Sequence, residues 1–136
     1  MPLAFLDTNI FIRHLTRDHA THSPLATAFF ARIERGEIRV QTADTAVLET
    51  VFTLQKHYRV SRPTIRDGLL PLIELPGIVL PAKQRIRRAF DLYVERNISF
   101  ADAYHAALME QLRLTDIVTF DRDFDRIPGL RRVEPS

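Results

Sequence analysis

The chain contains no cysteine. That excludes a disulfide framework, thiolate metal sites and a cysteine nucleophile. Long apolar runs are missing as well. No uncharged stretch approaches the ~18 residues that a membrane-spanning helix needs, and the run after Gly68 is broken by Glu74. The short apolar start stops at Asp7 with no basic residue before it, unlike a secretory leader. A soluble, cytoplasmic protein is therefore expected. Lysine is scarce too: Lys56 and Lys83 are the only lysines among 19 basic residues. Arginine grips phosphate through two parallel hydrogen bonds where lysine cannot, although a GC-rich coding sequence gives the same bias.

What is present is ordinary for a globular domain. The 136 residues are 46% hydrophobic and 26% charged with a formal charge of +2, which argues against disorder. One domain spanning 1–136 is expected, large enough to bury about two-thirds of its unfolded surface. Short apolar runs alternate with longer amphipathic ones. Leu3-Ala4-Phe5-Leu6, Ile38 to Gln41, Ile78-Val79-Leu80 and Ile117-Val118-Thr119-Phe120 read as strands, with Arg131 to Val133 as a further edge strand. Helices are expected over Ile10 to Leu15, His22 to Arg35 with Gly36 as its stop, and Thr42 or Asp44 to Tyr58. Others follow from Ser61 to about Leu75, Ala82 to Arg96 and Ser99 to Leu114. Continuous apolar strands between helices predict an α/β fold: a three-layer α/β/α sandwich around a central parallel sheet of four to five strands.

Ligands of such sheets bind beyond the carboxyl ends of the strands. Asp7 directly follows the first strand and Asp121 the fourth. If those strands are neighbours, the two carboxylates meet in one crevice, and close acids share a cation or a proton. Each has a plainer explanation: Asp7-Thr8-Asn9 suits a helix cap, and Asp121 lies in an acidic turn with Asp123 and Asp125. Ser99 and Asp102 form a variant capping box, yet Asp102 lies beside Ala106 and Met109 on a face short of polar groups. Glu49 falls at the border of an apolar arc, where a solvated acid is the commonest outcome.

In this order the four acids meet a family. Phe5-Leu6-Asp7-Thr8-Asn9, Leu48-Glu49, Phe100-Ala101-Asp102-Ala103 with Ala106-Ala107, and Val118-Thr119-Phe120-Asp121-Arg122-Asp123-Phe124 resemble the motifs of PIN domains. The likeness is strongest to the VapC ribonuclease toxins of type II toxin–antitoxin pairs. It implies a PIN-like fold and a metal-dependent endoribonuclease using Mg2+ (or Mn2+) that leaves a 3′-hydroxyl and a 5′-phosphate. Asp7, Glu49, Asp102 and Asp121 match the catalytic, metal-holding acids. Asn9 and Thr119 match polar positions that support them. It further implies an RNA substrate, a cognate antitoxin protein and a homodimer. Arg13, Arg17, Arg122 and Arg126 are candidate RNA-binding residues around an otherwise repulsive acidic cleft, and Arg85, Arg87 and Arg88 are a second basic cluster. Phe11, Leu15, Phe29, Phe52 and Leu54 are candidates to line an antitoxin groove. Carboxylates suit magnesium better than imidazole, so His57 and His105 need no catalytic role.

Three other readings compete. An RNA-processing PIN nuclease would keep the chemistry without the toxin role. A magnesium-dependent phosphatase of the haloacid dehalogenase kind needs a second aspartate where Asn9 stands. A non-catalytic protein-binding domain would leave each acid to its structural explanation.

Overall fold

The computed structural model describes residues 3–136, which divide into two compact units, residues 3–83 and 84–136. The first unit opens with β1 (Ala4–Phe5), α1 (Thr8–Thr16), α2 (His22–Glu34) and β2 (Val40–Gln41). It continues with α3 (Asp44–Lys56), α4 (Arg62–Ile73) and β3 (Ile78–Val79). The strands form a parallel sheet in the order β1-β2-β3, with Ala4 opposite Val40 and Val40 opposite Ile78. The second unit follows from α5 (Lys83–Glu95), which starts at the boundary, to α6 (Phe100–Leu112), β4 (Asp116–Val118), a 3-10 helix (Arg122–Arg126) and β5 (Arg131–Val133). There β4 and β5 pair in parallel, Ile117 opposite Arg132.

The expected single sheet of four to five strands is thus corrected: the five strands form a three-stranded and a two-stranded sheet. They are only two or three residues long. Apolar runs mark which segments are extended, while the pairing is decided by which backbone groups meet, and that leaves no trace in the side-chain pattern. The fourth strand also stops two residues early. The Asp121 N–H donates to Thr119 Oγ1 at 3.0 Å, and this local turn takes the chain out of the ladder.

Local chemistry explains the helix ends. Gly36 (φ 78°) follows α2, in a left-handed conformation that favours glycine. Ser61 caps α4 by accepting from the Thr64 N–H, with Pro63 in the first turn, where a missing N–H costs nothing. Ala43, not Thr42 or Asp44, takes the cap position of α3. Thr42 is instead buried and donates to the Leu6 carbonyl at 2.9 Å, tying the end of β1 to the end of β2. The core of the first unit gathers Leu6, Phe11, Phe30, Val47, Val51, Ile65, Leu69 and Ile78, with Phe11 and Phe30 rings 5.4 Å apart. In the second unit Phe90 and Tyr93 pack on Phe100, centroids 4.7 and 5.5 Å away. Among the described residues no helix is long and apolar enough to cross a membrane.

Candidate active site

In the first unit the relevant side chains stand where β1 gives way to α1. Asp7 occupies the N-cap position of α1, with extended backbone, but its side chain makes no capping hydrogen bond. The helix-cap explanation of this aspartate therefore fails, and its exposed carboxylate is available for other work. Thr8 is buried, and its hydroxyl donates to Glu49 Oε2 at 3.1 Å. Glu49 projects from α3, so this bond ties it to the residue next to Asp7. Thr50, buried beside it, donates to the Ala46 carbonyl at 2.7 Å. Asn9 is exposed and lines a groove of about 570 Å³ that β1, α1 and α2 enclose with Phe5, Ile10, Leu25 and Phe29.

In the second unit the carboxylates of Asp102, Asp121 and Asp123 each place an oxygen within 4.8 Å of the others. Asp102 sits in the first turn of α6, where its N–H donates to Ser99 Oγ at 3.1 Å, the predicted cap. Its half-buried carboxyl is held above the usual carboxylate range, first by burial and then by the negative charge of Asp121. Asp121 stands at the N-cap of the 3-10 helix, Oδ1 accepting from the Asp123 N–H at 2.9 Å. Thr119 holds the Asp121 backbone from the other side. Among the described residues one cation touches the group: Arg126 approaches Asp123 Oδ1 at 3.5 Å and donates to the Asn97 carbonyl at 2.8 Å.

Three acids with one peripheral guanidinium leave uncompensated negative charge. Oxygen donors packed this closely fit a hard divalent cation. Asp102, Asp121 and Asp123 are the residues that would hold it in this unit. Asp123 is the residue that sequence reasoning passed over for its neighbour; the signal available was its two-residue spacing from Asp121 across a tight turn. Asp125 does not join them, because it pairs with Arg132 at 3.2 Å.

The predicted arginines divide. Arg13 pairs with Asp18 at 3.2 Å and Arg126 braces the acidic turn, whereas Arg17 and Arg122 are exposed and make no ion pair among the described residues. The second basic cluster is largely committed within its own unit. Arg88 grips Glu110 through Nε and Nη2, and Arg85 donates to Gln111 and to the Tyr104 hydroxyl, stapling α5 to α6. Of the groove candidates, Phe11 and Leu54 are buried in the core. Phe29 does line the groove, and Phe52 is exposed on α3.

The family model of the PIN domain matches residues 4–130, nearly the whole chain and both units. The protein belongs to the PIN domain family. Its class is thereby a nuclease, a hydrolase that in general depends on divalent metal, and the acidic cluster agrees with that requirement. A search of curated proteins returned no match.

Proposed function

We propose that the protein is a Mg2+- or Mn2+-dependent endoribonuclease, the toxin of a type II toxin–antitoxin pair, acting in the cytoplasm. In this reading Asp7, Glu49, Asp102 and Asp121 serve one reaction, with Asp123 as an added ligand, and the enzyme works as a homodimer that a cognate antitoxin silences. The observation that carries it is the close, uncompensated group of Asp102, Asp121 and Asp123 in a chain of this family. The toxin role rests on the likeness of the sequence motifs to VapC proteins.

When bound, a divalent cation supplies Lewis acidity: it eases deprotonation of water at neutral pH and offsets charge on the phosphoryl oxygens. The chain's own residues do the positioning. Asp102 and Asp121 present converging oxygens, and Ser99 and Thr119 fix the backbones that carry them. Thr8 fixes the rotamer of Glu49, so that this carboxylate can orient a water or accept its proton. Arg126 keeps the acidic turn closed. The exposed guanidinium of Arg122, between two of the acids in sequence, is placed to meet a phosphate.

The test is cleavage of a mixed structured RNA pool by the purified, partner-free protein with magnesium, manganese or EDTA, beside Asp7→Asn and Asp102→Asn variants. Cleavage that needs the metal and vanishes in both variants is expected. A folded protein that leaves the pool intact under either metal, and whose melting is unmoved by the ions, overturns the nuclease reading.

A further inference from the structure

One helix of the first unit carries a feature that the acidic chemistry does not use. On α3, Val47, Val51 and Leu54 are buried, which fixes the opposite face outward. Glu49, Phe52 and Lys56 follow at intervals of three and four residues and therefore share that outward face. All three are exposed, and Phe52 keeps 58% of its surface in water. A phenylalanine held in solvent on a helix whose other face is fully packed is not needed for the fold. Lys56 makes no ion pair among the described residues. Just past the helix end lie three further exposed side chains, His57, Tyr58 and Arg59, of which Tyr58 donates to Asp18 at 2.8 Å.

We propose that this stripe is a track for single-stranded RNA: a base stacks on the Phe52 ring, the flanking phosphate meets Lys56, and the strand is led toward Glu49. The inference rests on the nuclease reading for the role of Glu49. The order of the three groups matches a nucleotide's own chemistry. An aromatic face receives a base whatever its identity, and an ammonium one helical turn on, about 6 Å along the axis, receives its phosphate. A carboxylate tied in place by Thr8 then stands on the other side. Charge complementarity favours nucleic acid over protein as the occupant, because the free charges at the open end of the stripe are basic. A single aromatic ring flanked by polar groups is also far smaller than the roughly 800 Å² per partner of a stable protein interface.

The test reads binding apart from cleavage. A labelled single-stranded oligoribonucleotide of about 12 nucleotides is titrated with protein in EDTA, and the change in anisotropy gives Kd. Phe52→Ala and Phe52→Leu should each weaken binding about tenfold, while Phe52→Trp stays within about twofold of the wild type. Lys56→Gln should lower the slope of log affinity against log salt by about 1. Because Phe52 is exposed, melting temperatures of all variants should match, which separates the track from a structural role. Equal binding across the Phe52 series overturns the proposal and leaves Phe52 to a protein partner. So does Leu performing as well as Trp, or a wild type with no affinity for the oligonucleotide. Cleavage in magnesium is scored separately on the same proteins. A wild type that binds with the expected Phe52 ordering but never cleaves sinks the nuclease reading and keeps the track. One that cleaves, with a flat Phe52 series, does the reverse.

Discussion

Asp102→Asn should make the metal-free protein more stable while abolishing cleavage. Oxygens of Asp102 and Asp121 lie within 4.8 Å of each other, a separation at which two unit charges repel by about 1 kcal/mol in water and about 4 kcal/mol at an effective dielectric of 20. Asp121 is exposed and Asp102 half-buried, so solvent screening holds the term near its lower end, about 1 kcal/mol. Losing a negative charge from the first turn of α6 opposes this by about 0.5 kcal/mol. Burial of the Asp102 carboxylate adds a cost that the amide escapes. The Ser99 cap of the Asp102 N–H is kept, while the Ser99 hydrogen bond that favours the charged Asp102 carboxylate weakens to one that the neutral amide oxygen can still accept. The net is a gain of roughly 0.5–1 kcal/mol, worth about 2–4 °C in a chain of this size.

Differential scanning calorimetry in EDTA measures it directly. Asp121→Asn should give a similar gain, and the double variant less than their sum, because both remove the same repulsion. Added magnesium should then raise the wild-type midpoint and leave Asp102→Asn where it was. A variant that melts below the wild type in EDTA would show that the carboxylates do not strain one another. An equal response of both proteins to magnesium would place the ion elsewhere.

Other consequences are as direct. Thr8→Val keeps the shape of the side chain but removes the 3.1 Å bond to Glu49; it should cost about 1 kcal/mol and lower kcat more than it raises KM, and an unchanged kcat would detach Thr8 from the site. Gly77→Ala puts a Cβ 2.7 Å from Ile33 Cγ2 and 3.1 Å from the Ile38 carbonyl; the expected loss is about 1–3 kcal/mol by overpacking, read as a lower denaturant midpoint, and no loss would mean that the backbone yields. His14 is half-buried against Phe30 and bonded to Thr27 Oγ1 at 2.8 Å, and burial, then Arg17, holds its pKa below the ordinary value. The unfolded chain therefore takes up the proton first: this stability is present above the unfolded value and is lost as pH falls through the lowered folded one. Between about pH 7 and pH 5 the melting point of the wild type should fall more than that of His14→Gln, and parallel curves would exonerate the histidine. Asp18 is drawn down to about 2 by hydrogen bonds from Thr16 and Tyr58 and by Arg13, so its contribution is present above its unfolded value and goes only near pH 2; Tyr58→Phe should move that loss to higher pH in an acid titration.

How much of this was legible beforehand follows from what each signal encodes. Short apolar runs located the first four strands and helical periodicity the six α-helices, although Ala4 and Phe5 of β1 and the outer residues of β4 are exposed, so the apolar type marks an extended segment there and not a buried one. The cap at Ser99 was legible, because its side chain has one evident partner. That of α3 was not, because Thr42 had two uses and the buried bond to the Leu6 carbonyl won over the cap. Sheet partnership was hidden for the reason that two strands of similar apolarity are interchangeable until their backbones meet. Arg85 and Arg88 were ambiguous because partners on another helix, Gln111 and Glu110, lie more than twenty residues away.

Asp7 shows where pattern alone misleads and where structure adds something that composition cannot. As a residue type before a helix it is explained by capping, and nothing in its neighbours contradicts that. The fold puts it in the capping position and then leaves the capping bond unmade, with the carboxylate in solvent and Thr8 reaching the other way, to Glu49. A cap residue that does not cap forgoes about 1 kcal/mol of helix stability. Asp102 is the complementary case: its backbone takes part in a working cap, while its carboxylate accepts burial and the repulsion of Asp121. Two aspartates at helix starts thus each set stability aside, one by a bond not made and one by charges held together. A stability deficit of that kind belongs with residues kept for a ligand, and it predicts that Asp7→Ser, which can cap, stabilises the helix start as it silences the enzyme. An Asp7→Ser variant that melts no higher than the wild type would mean that the geometry at this turn, and not the choice of residue, forbids the cap.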